Sequence, residues 1–489
     1  MNWDGLGAEI KAMGFSNEKN AVYSFLFIGP EDKKREFMGF VENFCLGEEA
    51  QQETQEETEQ DYLHNAQNYQ QAGNVEMAFQ QYMVAARDYG SPEAQFEVAR
   101  CYQNGTGVEK SEENAVVWYK KAAEQGNAEA QCVLGGCFYY QTLGVEKDDK
   151  EARKWYEAAA TQGNVTAQYM TGRLYAALSY NVAAVKWYTK AAEQECPEAQ
   201  YELGVCYETG DGVGKDKAKA VELYRKAAEQ GYAEAQNKLG VCYSNGTGVA
   251  RDDAQAVGWY RKAAENGNVK ALYNLGEHYY CGLDENKAEA VKWYKKAAEQ
   301  NHAWAQYMLG ECYFYGRGLD KNDAEAVKWY KKAAERNYAW AQYMLGECYY
   351  YGRGLDENEA EAVKWFKKAA EQGNADAQNN LGVCYHNGEG VEKNSAKAVE
   401  WYRKSAEQGY DRGQFALAGC YEYGEGVPQD KEKALQWYKK AADQGFGGAE
   451  WAIKNMQSNG IGPALAFGAA LAVEGVLEKL ERLGEIFKG

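Results

Sequence analysis

Metal or nucleophilic chemistry in this chain would have to come from four histidines and twelve cysteines. His64, His278, His302 and His386 fall at no ligand spacing and stand beside no cysteine pair, so the usual zinc donors are not assembled. Eight cysteines (Cys101, Cys137, Cys206, Cys242, Cys312, Cys348, Cys384 and Cys420) occupy one recurring place, directly before an aromatic residue. A disulfide ladder through them is opposed by geometry. Equivalent positions in stacked helical hairpins stand about 8–10 Å apart, beyond the reach of a disulfide without backbone movement. They read as small buried thiols. The recurring G-x-G dipeptides, such as Gly246 with Gly248 and Gly388 with Gly390, lack the following lysine of a phosphate cradle. No nucleophile stands beside a base. The reading is therefore no catalytic residue, no metal, no cofactor and no enzyme.

Binding chemistry has a stronger signal. In the motif A-x-A-Q the variable residue is Glu129, Thr166, Glu198, Glu234, Lys270, Asp376 or Arg412 in seven places, as expected of a site facing water. In two adjacent units it is Trp304 and Trp340, and an exposed indole asks for a reason. Helical spacing puts Trp304, Tyr307, Glu311 and Phe314 on one face, and Trp340, Tyr343, Glu347 and Tyr350 on the next. Tyr273 and Tyr280 continue the stripe backward, and Arg317 and Arg353 stand near enough to pair with a carboxylate or stack on rings. Tryptophan and tyrosine are favoured interface anchors. The pattern, over residues 270 to 354, predicts a docking face for a protein or peptide. Two other readings stay open: the rings pack only on each other, or aromatics with carboxylates hold a glycan.

The elements that must carry these residues follow from a period. An aromatic anchor recurs at Tyr82, Tyr119, Tyr156, Tyr188, Tyr224, Tyr260, Tyr294, Tyr330, Phe366, Tyr402 and Tyr438. Both blocks of each unit have helical spacing, so each unit is a helix pair. Eight residues before nine of these anchors stands a capping type, Ser111, Asp148, Asp216, Asp252, Asn286, Asn322, Asn358, Asn394 or Asp430. Glycine, or Asn301 and Asn337, closes the second helix where a left-handed residue is wanted. Alanines such as Ala290 and Ala326 let the helices approach, and Leu309 and Leu345 fill between them. One hairpin cannot bury its face alone, so stacking must make the core continuous as an all-α solenoid with a groove. Lysine pairs such as Lys295 with Lys296 belong to the solvated face of the second helix.

At this point A-E-A-Q-N-K-L-G-V-C-Y-S-N-G-T-G-V, followed by A-V-G-W-Y-R-K-A-A-E-N-G, resembles the Sel-one-like repeat (SLR) family, close kin of the tetratricopeptide repeat. The resemblance spans about Glu93 to Met456, ten units in register. It implies a right-handed α-solenoid of helix-turn-helix repeats acting as a scaffold or adaptor, with the first helix of each pair lining the concave side. Cysteine-rich secreted members carry two cysteines per unit where this chain mostly carries one. A hydrolase activity proposed for some secreted relatives is an alternative, as is a regulatory or sensor subunit. Two units depart from the pattern: in the first, a short one, Ala176 to Tyr180 replace the glycine turn and Glu195-Cys196-Pro197 displace the closing glycine, and the second is the unit around Tyr279 to Tyr294, also shortened.

The domain reading is a small N-terminal segment at 1–47 of unknown type, with Val22 to Ile28 as a candidate strand and Lys33 to Phe44 as a candidate helix. An acidic stretch at 48–61, read as a solvated linker or the frayed start of a helix, and a degenerate capping repeat at 62–92 follow. The repeat array then fills 93–456, and a C-terminal amphipathic helix at 457–489 presents Val476, Leu480, Leu483 and Phe487 to cap the array or meet another chain. The termini are where a homo-oligomer would form. A formal charge of −19 repels phosphate backbones, which argues against nucleic acid and for basic or apolar partners. The absence of a basic start before an apolar run, and of 18 consecutive apolar residues, predicts a cytoplasmic chain that neither spans nor favours a membrane. The expected function is a protein–protein interaction scaffold.

Overall fold

A computed structural model describes residues 57–281 and 286–457. Every element among the described residues is helical, and the chain divides into two compact units, Met1–Asn164 and Val165–Gly489. The first unit holds α1 (Glu59–Gln71), α2 (Val75–Asp88), α3 (Pro92–Asn104), α4 (Glu112–Glu124), α5 (Ala128–Tyr140) and α6 (Asp149–Thr161). The second continues with α7 (Val165–Ala177), α8 (Asn181–Glu193), α9 (Pro197–Thr209), α10 (Lys217–Glu229), α11 (Ala233–Asn245), α12 (Asp253–Glu265), α13 (Val269–Cys281) and α14 (Lys287–Glu299). After these come α15 (Ala303–Tyr315), α16 (Asp323–Glu335), α17 (Ala339–Tyr351), α18 (Glu359–Glu371), α19 (Ala375–Asn387), α20 (Ser395–Glu407), α21 (Asp411–Tyr423), α22 (Lys431–Asp443) and α23 (Gly447–Gln457). Odd-numbered helices are the first of each pair and even-numbered ones the second. Within each unit every helix packs on its neighbours in sequence, as an all-α solenoid requires.

The expected caps set the helix starts. Asn322 Oδ1 accepts from the Glu325 amide and Asn358 Oδ1 from that of Glu361, each at 3.0 Å. Asn301 and Asn337 close α14 and α16 with φ of 66° and 63°. The anticipated irregularity at the short unit is real: Tyr180 gives α8 no side-chain cap, and Leu178, Tyr180 and Val182 are left exposed around it. Of the acidic stretch only 57–61 lies among the described residues, and there Thr58 and Asp61 form a reciprocal capping box that starts α1. The expectations for residues 1–47 and for a helix at 457–489 lie outside the described residues, apart from the end of α23.

The hairpins from α5–α6 to α19–α20 are each held by a ring set into a glycine, a place taken by Ala99 in α3 and Ala418 in α21. A Cβ added to Gly310 of α15 would lie 2.6 Å from the ring of Tyr330 on α16, and the same holds for Gly346 against Phe366 and Gly382 against Tyr402. Glycine is the hole and the periodic aromatic is the knob, with Tyr294, Tyr330 and Tyr402 fully buried. The glycine pairs do more than turn the chain. In Gly246–Gly248 the first residue caps α11, while a Cβ on the second would stand 2.2 Å from the Lys217 carbonyl oxygen at the start of α10, in the preceding pair. At that contact, with φ of 70°, only glycine fits.

Buried glutamines join one pair to the next. Gln378 Nε2 donates to the Ala370 carbonyl at the end of α18, and its Oε1 accepts from Gln408 Nε2 at 2.7 Å. Gln342 is used identically, with Gln372 as its donor at 2.6 Å. The ladder breaks at two consecutive steps: Leu272 stands in place of one glutamine, and Gln306 keeps its bond to Ala298 but has no partner for Oε1, because Arg336 replaces the donor. The lysine pairs are exposed, and Lys296 and Lys332 also lie over the indoles of Trp293 and Trp329 at 4.4 and 3.9 Å.

Two consequences are measurable by chemical denaturation. Gly310→Ala must displace Tyr330 and lowers stability by about 1–3 kcal/mol; an unchanged midpoint would refute the ring-in-glycine joint. Arg336→Gln supplies the missing donor to a buried oxygen and raises stability by about 1 kcal/mol.

An aromatic face on three consecutive first helices

Helices α13, α15 and α17 bring the predicted stripe together on one face of the second unit. Trp304 and Trp340 are 44% and 46% exposed, the water-facing placement inferred from their motif position. Their surroundings differ. The Trp304 indole lies 5.8 Å from the ring of Tyr273 and 5.6 Å from that of Tyr338, while Trp340 meets only Tyr343 among described ring contacts, edge-on at 6.4 Å. Tyr338 also touches Tyr307 at 5.4 Å, and Tyr273 stacks on His302 at 5.3 Å. The rings thus do pack on each other, yet both indoles keep nearly half their surface in water.

One residue must be taken off the surface. Phe314 is 6% exposed, packed 6.2 Å from Tyr330 with the Arg353 guanidinium 5.4 Å above it, so it supports the face from below. Its position explains why. It occupies the place where Gln103, Glu208 or Glu422 accepts a hydrogen bond from the anchor tyrosine of its own pair. In α15 that hydroxyl turns instead to Glu311, whose Oε1 accepts from Tyr330 Oη at 2.6 Å. Tyr350 is half-buried and donates to Glu389. Glu347 accepts from Asn380 Nδ2 of α19.

The two arginines stack on rings rather than standing free. Arg317 Nη1 donates to Tyr280 Oη at 2.7 Å, and its guanidinium lies 4.6 Å from the Tyr315 ring centre. Arg353 covers Phe314 and Tyr351. Three participants escaped the sequence reading. Glu277 on α13 accepts from Tyr294 Oη at 2.5 Å and is the counterpart of Glu311 and Glu347. Tyr338 and His302 both precede helices; in the sequence His302 is weighed only as a metal donor, and Tyr338 is not singled out. The signal for Glu277 was present, since that helix position is Arg173, Val205, Val241, Val383 or Gly419 in other pairs of this unit.

Burial shapes the electrostatics. It raises the Glu311 carboxyl above its ordinary value, against the lowering effect of the Tyr330 hydroxyl and of Arg317. Burial likewise pushes the Tyr307 phenol up, with Glu311 adding to it. His302 is lowered by burial and then by Lys270. No cluster of metal-ligating side chains occurs among the described residues, and no helix among them is long and apolar enough to cross a membrane.

Stacked helix pairs with a ring-lined face define a helical-repeat protein of the kind built to present an extended surface. The Sel1 repeat model matches at 92–127, 128–164, 165–196, 197–232, 233–268, 269–302, 305–338, 341–374, 375–410 and 411–446, and the chain belongs to that family. It is 34% identical to a protective antigen present in uropathogenic Escherichia coli strains and displaying an SLR fold, over 86% of this chain and 92% of that one, with a TM-score of 0.65. It is also similar to a Sel1 repeat protein from Oxalobacter formigenes, 28% identical over 69% of this chain and 90% of that one, with a TM-score of 0.49. No match is found among curated proteins.

His302 yields a pH prediction. Its Nδ1 accepts from the Ala305 amide, which requires the neutral ring, and its folded-state value lies below the ordinary 6.5. The unfolded chain therefore binds the proton first, and stability falls as pH drops below about 6.5. His302→Asn keeps a capping oxygen and flattens that slope in denaturation midpoints between neutral and mildly acidic pH; an unaltered slope contradicts the assignment.

Proposed function

We propose that this chain is a stoichiometric docking scaffold that binds a partner protein or peptide on the aromatic face of α13, α15 and α17. Support comes first from the repeat fold, of a type commonly used for protein–protein interaction. The observation that carries the site is the pair of half-exposed indoles, Trp304 and Trp340, at a position that elsewhere holds glutamate, aspartate, threonine, lysine or arginine. The hairpins fold without them, as the other pairs demonstrate. Rigid aromatic anchors give large contact area for little rotamer entropy, and truncating one at an interface centre costs about 2 kcal/mol or more.

The contact set is Trp304, Trp340, Tyr273, Tyr280, Tyr307, Tyr343 and Tyr350, with Arg317 and Arg353 at its rim and Glu311 and Glu347 between the rings. The protein acts by holding its partner rather than by turnover, in the cytoplasm, where its free thiols, buried at the recurring position except for the half-buried Cys206, stay reduced. The test replaces Trp304 and Trp340 together by alanine and compares partners captured from native lysate by quantitative mass spectrometry. Loss of a specific partner by tenfold or more is expected, with an unchanged helical circular-dichroism spectrum. Equal capture by the variant removes the face from the account.

A further inference from the structure

The docking reading leaves open what the partner presents, and the buried charge of the face bears on that question. Glu277, Glu311 and Glu347 stand at one position on three successive first helices, and the other pairs of this unit carry no carboxylate there. Glu277 and Glu311 are satisfied by neutral tyrosine hydroxyls, from Tyr294 and Tyr330, which solvate the carboxylates without cancelling their charge. Both are partly buried among rings. Of the two arginines of the face, Arg317 is exposed and bound to Tyr280, while Arg353 is half-buried over the rings of Phe314 and Tyr351. Three carboxylates stand against two guanidiniums, one of them exposed and screened by water, so the face is net negative. The faces of Trp304 and Trp340 add a second attraction of the same sign, since an indole quadrupole draws cations. The overall charge of −19 adds a third.

Resting on the docking reading above, we propose that the partner segment is cationic and extended, with lysine or arginine side chains placed one to each carboxylate. The geometry sets their spacing. Side chains of neighbouring first helices touch directly, as Asn274 with Asn237 and Asn380 with Glu347 show, which puts the helix axes about 10 Å apart. A polyproline-type strand repeats every third residue at about 9 Å, so every third residue of the partner is basic. An α-helical segment would present its basic residues at a shorter rise for the same count.

The test uses the full chain and fluorescence anisotropy of labelled synthetic peptides. One carries arginine at every third residue of a proline–alanine background, a second has glutamate in those places, and a third has the same arginines in one block. The spaced basic peptide is expected to bind at least about tenfold more tightly than the acidic one and more tightly than the block, with affinity falling as salt rises. Glu277→Gln with Glu311→Gln, which keep size and the tyrosine hydrogen bonds, should cost about tenfold at an unchanged circular-dichroism spectrum. No preference for the spaced basic peptide, or full affinity in the double glutamine variant, overturns the cationic assignment. If the tryptophan variant still loses its natural partner in that case, docking on this face survives alone; if neither variant changes binding, both readings fall.

Discussion

The structure depends on a ring seated in the space where a side chain is missing. In the pairs from α5–α6 to α19–α20 the first helix offers a glycine and the second an aromatic, and the two backbones approach as closely as the ring allows. This contact fixes both rotation and register of the hairpin, because a ring has one hole to enter. A helix pair of this length buries too little surface to stand alone, so its geometry must also suit the next pair. The second glycine of the G-x-G turn serves that purpose by lying against the first turn of the preceding pair's second helix. Register within a pair and register between pairs are thus set by two glycines with different tasks.

A polar ladder runs beside this apolar joint. Each buried glutamine of the ladder satisfies a helix-end carbonyl of the preceding pair and accepts from the amide that closes the second helix of its own pair, converting unpaired helix termini into a bridge between repeats. The bridge fails at Leu272 and at Gln306, within the pairs that carry the aromatic face. The repeat consensus is relaxed there on both sides of the helix at once. A stretch selected for folding alone would keep the ladder, and a buried amide oxygen without a partner costs free energy. Rings that cross between pairs, such as Trp304 with Tyr338 and Tyr338 with Tyr307, supply contacts in its place.

The same exchange explains the unusual electrostatics. Where other pairs use a glutamine or glutamate near the end of the first helix to hold the anchor hydroxyl, α15 puts Phe314 there and moves the acceptor to Glu311. The carboxylate thereby shifts from the helix end to the middle of the face, among aromatic rings. Two arginines that follow the helices fold back over rings, where stacking and a tyrosine hydroxyl hold them. The result is a surface of rings with charge set into it, carried by a scaffold whose other pairs show no such arrangement.

Much of this was legible in the residues alone, because local rules act through sequence neighbours. The period, the capping serines, aspartates and asparagines, the left-handed asparagines at Asn301 and Asn337, and the exposure of Trp304 and Trp340 follow from helical spacing and backbone chemistry. What spacing could not show is which residue of a neighbouring pair each side chain meets. Phe314 shares a helical face with Trp304, yet the loop arginine of the following pair lies over it and takes it out of solvent. Tyr338 and His302 look like connectors until the pairs stack and bring their rings against α13 and α15. The sequence determined the hairpins and the odd bulk of their outer positions; contacts between residues some thirty apart, made only when repeats stack, decided which of those positions form a surface.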